Sequence, residues 1–399
     1  MTADSRSVYM DNHATTRVDS RVVEAMLPFF TEHFGNPGSV SHAFGWEAKE
    51  AVDAARESIA TVIGASPREI VFTSGATESN NLAIRGIAER HRAKGNHLLS
   101  VTTEHKAVLD PLARLARHDY QVTLVGVAQA GSPRAGLVDP QQVADAITDG
   151  TILVSVMLAN NEIGVIQPIA DIAEICRRRG VLLHCDATQA IGKMLVDVRE
   201  LGVDLMSFSA HKLYGPKGVG ALYVRRSSPP VRLQSQIDGG GQENGLRSGT
   251  LNVPGIIGLA RAVELCLEEL PAEADRLAGL RDRLLEQLTG ELEGVSLNGP
   301  MCADRRLRLP GNLNLSFAWV DGEALMMAMK TLAVSSGSAC TSANPEPSHV
   351  LRALGLDEDS TRASLRFGLG RFNTADDVEF AVAAVSEAVG RLRKLSSRP

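Results

Sequence analysis

Between about residue 65 and residue 225, short apolar runs alternate with longer stretches whose apolar positions recur at helical spacing. The runs are 70–73 (IVFT), 97–101 (HLLSV), 122–125 (VTLV), 152–156 (ILVSV), 181–184 (VLLH), 205–208 (LMSF) and 220–224 (GALYV). Each is nearly continuous in apolar residues, as expected of strands covered on both faces. Stretches such as 110–117 and 169–178 supply the helical spacing between them. This alternation predicts an α/β fold, a doubly wound and mostly parallel sheet of about seven strands. Beyond residue 260 the pattern changes. Helical spacing covers 256–270 and 273–292, and Pro271 is predicted to end the first of these helices. Residues 312–317 and 363–369 alternate like half-buried strands, with helical stretches at 322–332 and 375–392. That mix predicts a smaller C-terminal α+β domain.

Composition narrows the picture in a few respects. A chain of 399 residues, 44% hydrophobic and 22% charged, is globular and long enough for a sizeable core. Lys plus Arg number 41 and Asp plus Glu 47, a net charge of −6. That balance gives no general affinity for phosphate backbones, so no direct nucleic acid binding is expected. No apolar run approaches the ~20 residues of a membrane span. The start, MTADSRSVYMDNHATT, lacks the order of a signal peptide. Five cysteines without a CxxC pair argue against a disulfide framework and a zinc ribbon. The expectation is a cytoplasmic protein with free thiols and no resident metal.

Ligands of an open parallel sheet bind beyond the carboxyl ends of its strands. After the first run comes SGATESN (74–80), then a predicted helix over 81–91. A glycine turn opening a helix, with the Thr77 hydroxyl beside it, makes a phosphate cradle, although the feature alone is equally an ordinary capped helix start. After 181–184 comes CDATQ (185–189), and after 205–208 comes SAHK (209–212). Asp186 and Lys212 should emerge on the same sheet edge, where by themselves they could form a plain ion pair. Lys212 also precedes the glycine-dense YGPKGVG (214–220) and shares its edge with the cradle. A Schiff-base lysine, an acid for a pyridinium nitrogen and a phosphate cup are what pyridoxal phosphate requires. His105 follows the run 97–101, where a flat ring could stack on the cofactor and move protons.

The cysteines divide by context. Cys176 and Cys266 fall in amphipathic helical stretches, Cys185 at a buried strand end, and Cys302 in a polar loop with nothing nearby to activate it. Cys340 lies in SSGSACTSANPEPS (335–348), a small, polar tract that reads as a mobile, exposed loop. An exposed thiol is an oxidation liability, so its presence favours use.

MDNHATT (10–16), FGNPGSVSH (34–42), FTSGATESNNLA (72–83), TEHKAVLD (103–110), NNEIG (160–164), HCDATQ (184–189), SFSAHKLYGPKGVGALY (207–223), RSGT (247–250) and SSGSACTSA (335–343) together resemble the cysteine desulfurases. These are fold-type I pyridoxal phosphate enzymes of the class V aminotransferase superfamily, and the long cysteine loop resembles the NifS/IscS branch. The resemblance runs from about residue 8 to residue 395. It implies a large cofactor domain over 15–260 and a small domain from 1–14 and 261–399 that carries the cysteine loop. It further implies that Lys212 forms the Schiff base, Asp186 pairs with the pyridine nitrogen, Gln189 reaches the ring hydroxyl and His105 stacks on the ring. Ala76, Thr77, Ser209 and His211 would hold the phosphate, and Thr250 the phosphate of a neighbouring subunit in a homodimer. Asn161, also beside the cofactor, would bind the substrate carboxylate with Arg366, and Asn36 would line the substrate site.

The activity so implied converts L-cysteine to L-alanine. Cys340 is the nucleophile that receives the sulfur as a persulfide and passes it to an acceptor protein, and it could also be a transient iron–sulfur ligand. Selenocysteine lyase or a related class V aminotransferase is the alternative. A non-enzymatic sulfur or iron scaffold is disfavoured by the lack of ligand spacing. DNHATT departs from the more familiar tyrosine–serine pair, without expected consequence for the chemistry. Housekeeping relatives carry a longer C-terminal tail that helps to dock the iron–sulfur scaffold. The acceptor is therefore left open between iron–sulfur assembly, nitrogenase maturation, tRNA thiolation and DNA sulfur modification.

Overall fold

Successive residues of a strand point to opposite faces of its sheet, and the central strands of this protein bury both. The computed structural model describes residues 6–227, 229–336 and 346–395. Its main sheet comprises β1 (Ile70–Thr73), β2 (His97–Val101), β3 (Gln121–Val125), β4 (Thr151–Ser155), β5 (Leu182–Asp186), β6 (Leu205–Ser209) and β7 (Gly220–Val224). Val71, Leu98, Leu153, Leu205 and Leu222 face one side, against α2 (Ala76–His91) and α3 (Lys106–Ala116). Their neighbours Phe72, Leu99, Val154, Met206 and Ala221 face the other, against α1 (Ala43–Val62), α4 (Ile169–Arg179) and the first half of α5 (Val253–Glu291). The order is β1-β7-β6-β5-β4-β2-β3, with β7 antiparallel to both neighbours and every other pairing parallel. Only β3, at the edge, leaves much of itself in water. All seven sequence-predicted strands are present, three with the predicted bounds and four displaced by one or two residues at their ends.

A second, four-stranded antiparallel sheet is built from β8 (Val295–Leu297), β9 (Asn312–Phe317), β10 (Ser335–Ser336) and β11 (Ser364–Gly368), in the order β10-β11-β9-β8. Its apolar side, with Leu313, Leu315 and Phe367, packs on Leu284 and Leu288 of α5 and on Val378, Val385 and Val389 of α6 (Ala375–Leu395). Val8 and Met10 join this core from the other end of the chain. The strand Val8–Tyr9 lies parallel to Leu332–Ala333.

Two sequence expectations need correction. Pro271 does not end a helix, because α5 runs unbroken through it for 39 residues. An interior proline costs ~3 kcal/mol through a lost hydrogen bond and a clash one turn back. Leu259, Val263 and Leu265 anchor one half of α5 in the first core, while Leu277, Leu284 and Leu288 anchor the other half in the second. Each such side chain contributes ~1.5–3 kcal/mol, so burial outweighs the proline. The helix expected to begin at residue 81 begins at Ala76, with Gly75 as its cap. The polar residues Ser79 and Asn80, which read as part of a turn, are fully buried helix positions. Among the described residues no helix is long and apolar enough to cross a membrane.

Candidate active site

β1, β2, β4, β5 and β6 end on one edge of the sheet, and the segments that leave them surround a cleft of about 450 Å³. At one end of the cleft, Gly75 (φ 150°) turns the chain from β1 into α2, whose first-turn N–H groups have no acceptor within the helix. Gly220, the first residue of β7, is paired with Thr73 on one side and Ser209 on the other. A Cβ at position 220 would stand 2.7 Å from the Gly75 Cα and 2.6 Å from the Phe208 carbonyl oxygen, so only glycine lets the two turns meet. Ala76, Thr77, Ser209, His211 and Lys217 line this end. The His211 Nδ1 is 3.1 Å from the Thr15 hydroxyl. Burial first, and then the charge of Lys212, push the His211 pKa down to about 4, so the ring is neutral at physiological pH. Helix N–H groups, hydroxyls and a lysine charge fit a phosphate group.

β5 reaches two residues further than its apolar run and ends on Asp186, which is buried. Its Oδ2 accepts from the Asn80 side-chain amide at 2.8 Å and its Oδ1 from the Thr188 backbone N–H at 2.9 Å. These bonds fix the carboxylate facing the cleft. Lys212 closes the short turn after β6, and its Nζ donates to the carbonyls of His13 (2.8 Å) and Ala14 (2.5 Å). Gln189 donates from Nε2 to the same His13 carbonyl at 2.9 Å and accepts from the Lys193 ammonium at 2.6 Å. Burial, and after it the charge of Lys212, lower the Lys193 pKa to about 7. Both bonds to residue 13 run through its backbone, so they do not depend on which side chain stands there. The imidazole of His13 is buried without a partner at either nitrogen among the described residues, and its pKa is far below the ordinary value, chiefly through desolvation.

His105 caps α3, its Nδ1 accepting the Ala107 N–H at 3.0 Å. Desolvation in the cleft wall lowers its pKa, with Asp186 opposing. A neutral ring whose Nδ1 accepts carries its proton on Nε2, the tautomer this hydrogen bond assigns. At the far end, Arg366 of β11 is buried, with Nη2 on Asp11 Oδ1 and on the Ser335 hydroxyl (both 2.8 Å) and Nη1 on the Asn161 carbonyl (3.2 Å). Its Nε is buried without a partner among the described residues. A guanidinium lining the cleft with donor capacity in hand suits a carboxylate.

Ten sequence-predicted positions therefore share one cleft: those of the phosphate end, His105, Asn161, Asp186, Gln189, Lys212 and Arg366. Thr250 is exposed and does not line the cleft of its own chain, although Arg247, three residues before it, is held at 2.9 Å by Glu78 of α2. Asn36 is also exposed, its side chain accepting from the Gly38 N–H. Cys340 lies outside the described residues. Cys176, Cys185, Cys266 and Cys302 are all free and buried; Cys302, expected in a polar loop, belongs to the second core. The sequence reading missed Asn80, Asp11 and the His13–Ala14 carbonyls. The first two stood inside quoted motifs without a role, and nothing local marks a carbonyl that a lysine 198 residues away will use.

The family described as aminotransferase class-V matches residues 8–380. A protein named cysteine desulfurase IscS, from Anaeromyxobacter dehalogenans, is 57% identical over 389 residues, 98% of this chain and 94% of its own. A solved structure titled NifS-like protein superposes with a TM-score of 0.88 at 39% identity, covering 97% of this chain and 100% of that one. Another, titled SspA in complex with cysteine, gives a TM-score of 0.79 at 38% identity over 92% of this chain and 99% of that one.

Proposed function

The chain belongs to the class-V aminotransferase family and is a cysteine desulfurase, and we propose that it draws sulfur from L-cysteine with pyridoxal 5'-phosphate held in the cleft between Thr77 and Asp186. The observation that carries this reading is the convergence of Lys212, Asp186 and Arg366 on one cleft whose other end fits a phosphate. Pyridoxal phosphate is the cofactor of the family in general. When bound it supplies an electron sink that acidifies the Cα–H of an amino acid joined to it. In this reading Ala76, Thr77, Ser209 and His211 hold its phosphate, His105 covers its ring and Gln189 meets its hydroxyl. The Thr188 hydroxyl and the Asn80 side-chain oxygen, both buried beside Asp186 and without a partner among the described residues, fit a polar group belonging there.

The chain's own groups then divide the work. Arg366, with Asn161 beside it, grips the substrate carboxylate as a fork. The Lys212 amine takes the Cα proton, and the Asp186 carboxylate keeps a proton on the ring nitrogen. The Cys340 thiolate attacks the substrate sulfur, so that an S–S bond forms while the Cβ–S bond breaks. The electron pair of the broken bond stays with the carbon skeleton, which gains protons and leaves as L-alanine, and the sulfur remains on Cys340 as a persulfide. A free thiol ionises near ~8.5, so cations nearby or a hydrogen bond donated by the His105 Nε2–H must help the thiolate form. An acceptor protein then takes the sulfur. Free thiols fit a reducing cytoplasm.

The same reading makes the protein a homodimer in which Thr250 serves the partner's cofactor. In support, Leu27, Phe30, Phe34, Val40, Phe44 and Trp46 are all more than half exposed, an apolar area of the kind a partner covers. Sedimentation should give about twice the 42.6 kDa chain mass; a monomer at micromolar concentration would refute the shared site. For the activity, the purified protein with cofactor and a thiol reductant should release L-alanine and sulfide in equal amounts from L-cysteine. Arg366→Lys should raise KM for L-cysteine about ten-fold or more, because an ammonium cannot reproduce a bidentate grip worth ~1.5–3 kcal/mol. No alanine from L-cysteine would sink the proposal, and an unchanged KM would remove Arg366 from the carboxylate site.

A further inference from the structure

Ser335 and Ser348, which flank Cys340 on either side within the described residues, are each tied to an acid, half-buried Asp11 and buried Glu162. Upstream, Ser335 stands opposite Arg366 in the β10–β11 pairing. Its hydroxyl donates to Asp11 Oδ1 and accepts from Arg366, each at 2.8 Å. Downstream, the Ser348 hydroxyl donates to Glu162 Oε2 and accepts the Leu351 N–H at 3.1 Å, capping the short helix His349–Ala353. The next residue, His349, bonds through Nε2 to the Glu104 carbonyl at 2.8 Å, one residue before His105.

Glu162 is the unexplained member of this arrangement. It is buried, it does not line the cleft, and no side chain but Ser348 is bonded to its carboxyl group among the described residues. Its backbone is equally committed. The Glu162 carbonyl accepts from the side-chain amides of Asn312 (3.2 Å) and Asn314 (3.1 Å) on β9, and its N–H donates to Asn160 Oδ1 at 2.8 Å. The preceding residue, Asn161, gives its carbonyl to Arg366. One rigid turn, 160–164, thus holds the arginine at one residue and the downstream foot of the Cys340 segment at the next. A buried carboxyl group is costly to keep without a partner, which makes the Ser348 bond a strong local constraint.

We propose that Glu162 is a positioning residue for sulfur transfer: through the Ser348 hydroxyl it ties the downstream end of the Cys340 segment to the turn that holds Arg366. The substrate carboxylate and the attacking thiol are thereby referred to a common piece of backbone. This rests on the reading of Cys340 as the nucleophile. Displacements of about 1 Å suffice to slow an attack by up to 10²-fold, so the bond is felt in the chemical step and not in substrate capture.

The test uses full-length, cofactor-loaded protein. Ser348→Ala removes only the hydroxyl. It should lower kcat for L-alanine formation about ten-fold, leaving KM for L-cysteine, the cofactor's visible absorbance and the absorbance change on adding L-cysteine as in the wild type. Glu162→Ala should match that loss, and the double variant should be no worse than either single one, because both remove the same bond. Glu162→Gln keeps an oxygen for the hydroxyl and should stay within about two-fold of wild type. Wild-type kcat in Ser348→Ala, a rise in KM with kcat unchanged, or additive losses in the double variant would each overturn the proposal. Should Glu162→Ala fail to fold, Ser348→Ala decides alone. Cys340→Ser distinguishes the two levels: turnover surviving there overturns the nucleophile assignment itself, whatever Ser348 does.

Discussion

Lys212→Ala should reduce L-alanine formation from L-cysteine by about 10³-fold or more and abolish the visible absorbance of the cofactor joined to the protein. Two functions rest on this amine. In the proposed reaction it anchors the cofactor covalently between turnovers and moves the Cα proton, a role worth roughly 10²–10⁴-fold by itself. No neighbour is placed to replace it. Lys193 meets Gln189 and does not line the cleft, and Lys217 lines the phosphate end, beyond the glycine-rich turn. The variant should still fold, since the Lys212 head group bonds carbonyls at the cleft wall and the core packing lies elsewhere. Absorption spectra and single-turnover alanine release check the result. An unchanged spectrum would end the assignment.

Cys340→Ser separates the two halves of the reaction. The protein should keep its cofactor absorbance and respond to L-cysteine, yet release alanine at least about 10²-fold more slowly, since a serine hydroxyl is scarcely ionised at neutral pH and is a poor nucleophile toward sulfur. The other thiols cannot compensate. Burial pushes Cys176 and Cys266 up to about 12 and Cys185 well above its ordinary value. At pH 8 a thiol of pKa about 12 is ~10⁻⁴ ionised, and all three are shut inside the main core. Cys302 is buried in the other core, away from the cleft. Mass spectrometry after L-cysteine addition should find about 32 Da of added sulfur on wild-type Cys340 and none on the variant. Normal alanine release would remove Cys340 from the reaction.

The apolar runs disclosed the main sheet almost residue by residue, because a strand buried on both faces leaves no ambiguity of period. Asp186 and Lys212 were legible for the same reason, each following a run that had to end on the ligand-bearing edge. The Thr77 cradle was legible in kind but misplaced in detail. Ser79 and Asn80 look like turn residues until Asn80 is seen holding Asp186 from within α2. Pro271 misled because helix termination is a local argument, whereas α5 is held by two separate cores. Least legible was everything contributed by residues 11–14. The bonds from Asp11 to Arg366 and from the His13 carbonyl to Lys212 span 355 and 199 positions, and no local pattern announces such pairs.

Those same long spans bear on how the protein comes to be made. The resting partners of Lys212 sit just after the strand Val8–Tyr9, and that strand finds its neighbour only at Leu332–Ala333. A chain emerging from the ribosome exposes the N-terminal strand first and its partner more than 300 residues later. At ~5–20 residues per second, synthesis of the intervening stretch takes tens of seconds. During that time the central sheet can form and Thr16 can bond the His211 carbonyl, but the strand that leads into the lysine's wall has no partner. Competence for the cofactor therefore arrives late, as a closing step of assembly, and nascent chains lacking the C-terminal third should hold the cofactor poorly even with every residue of the phosphate end in place.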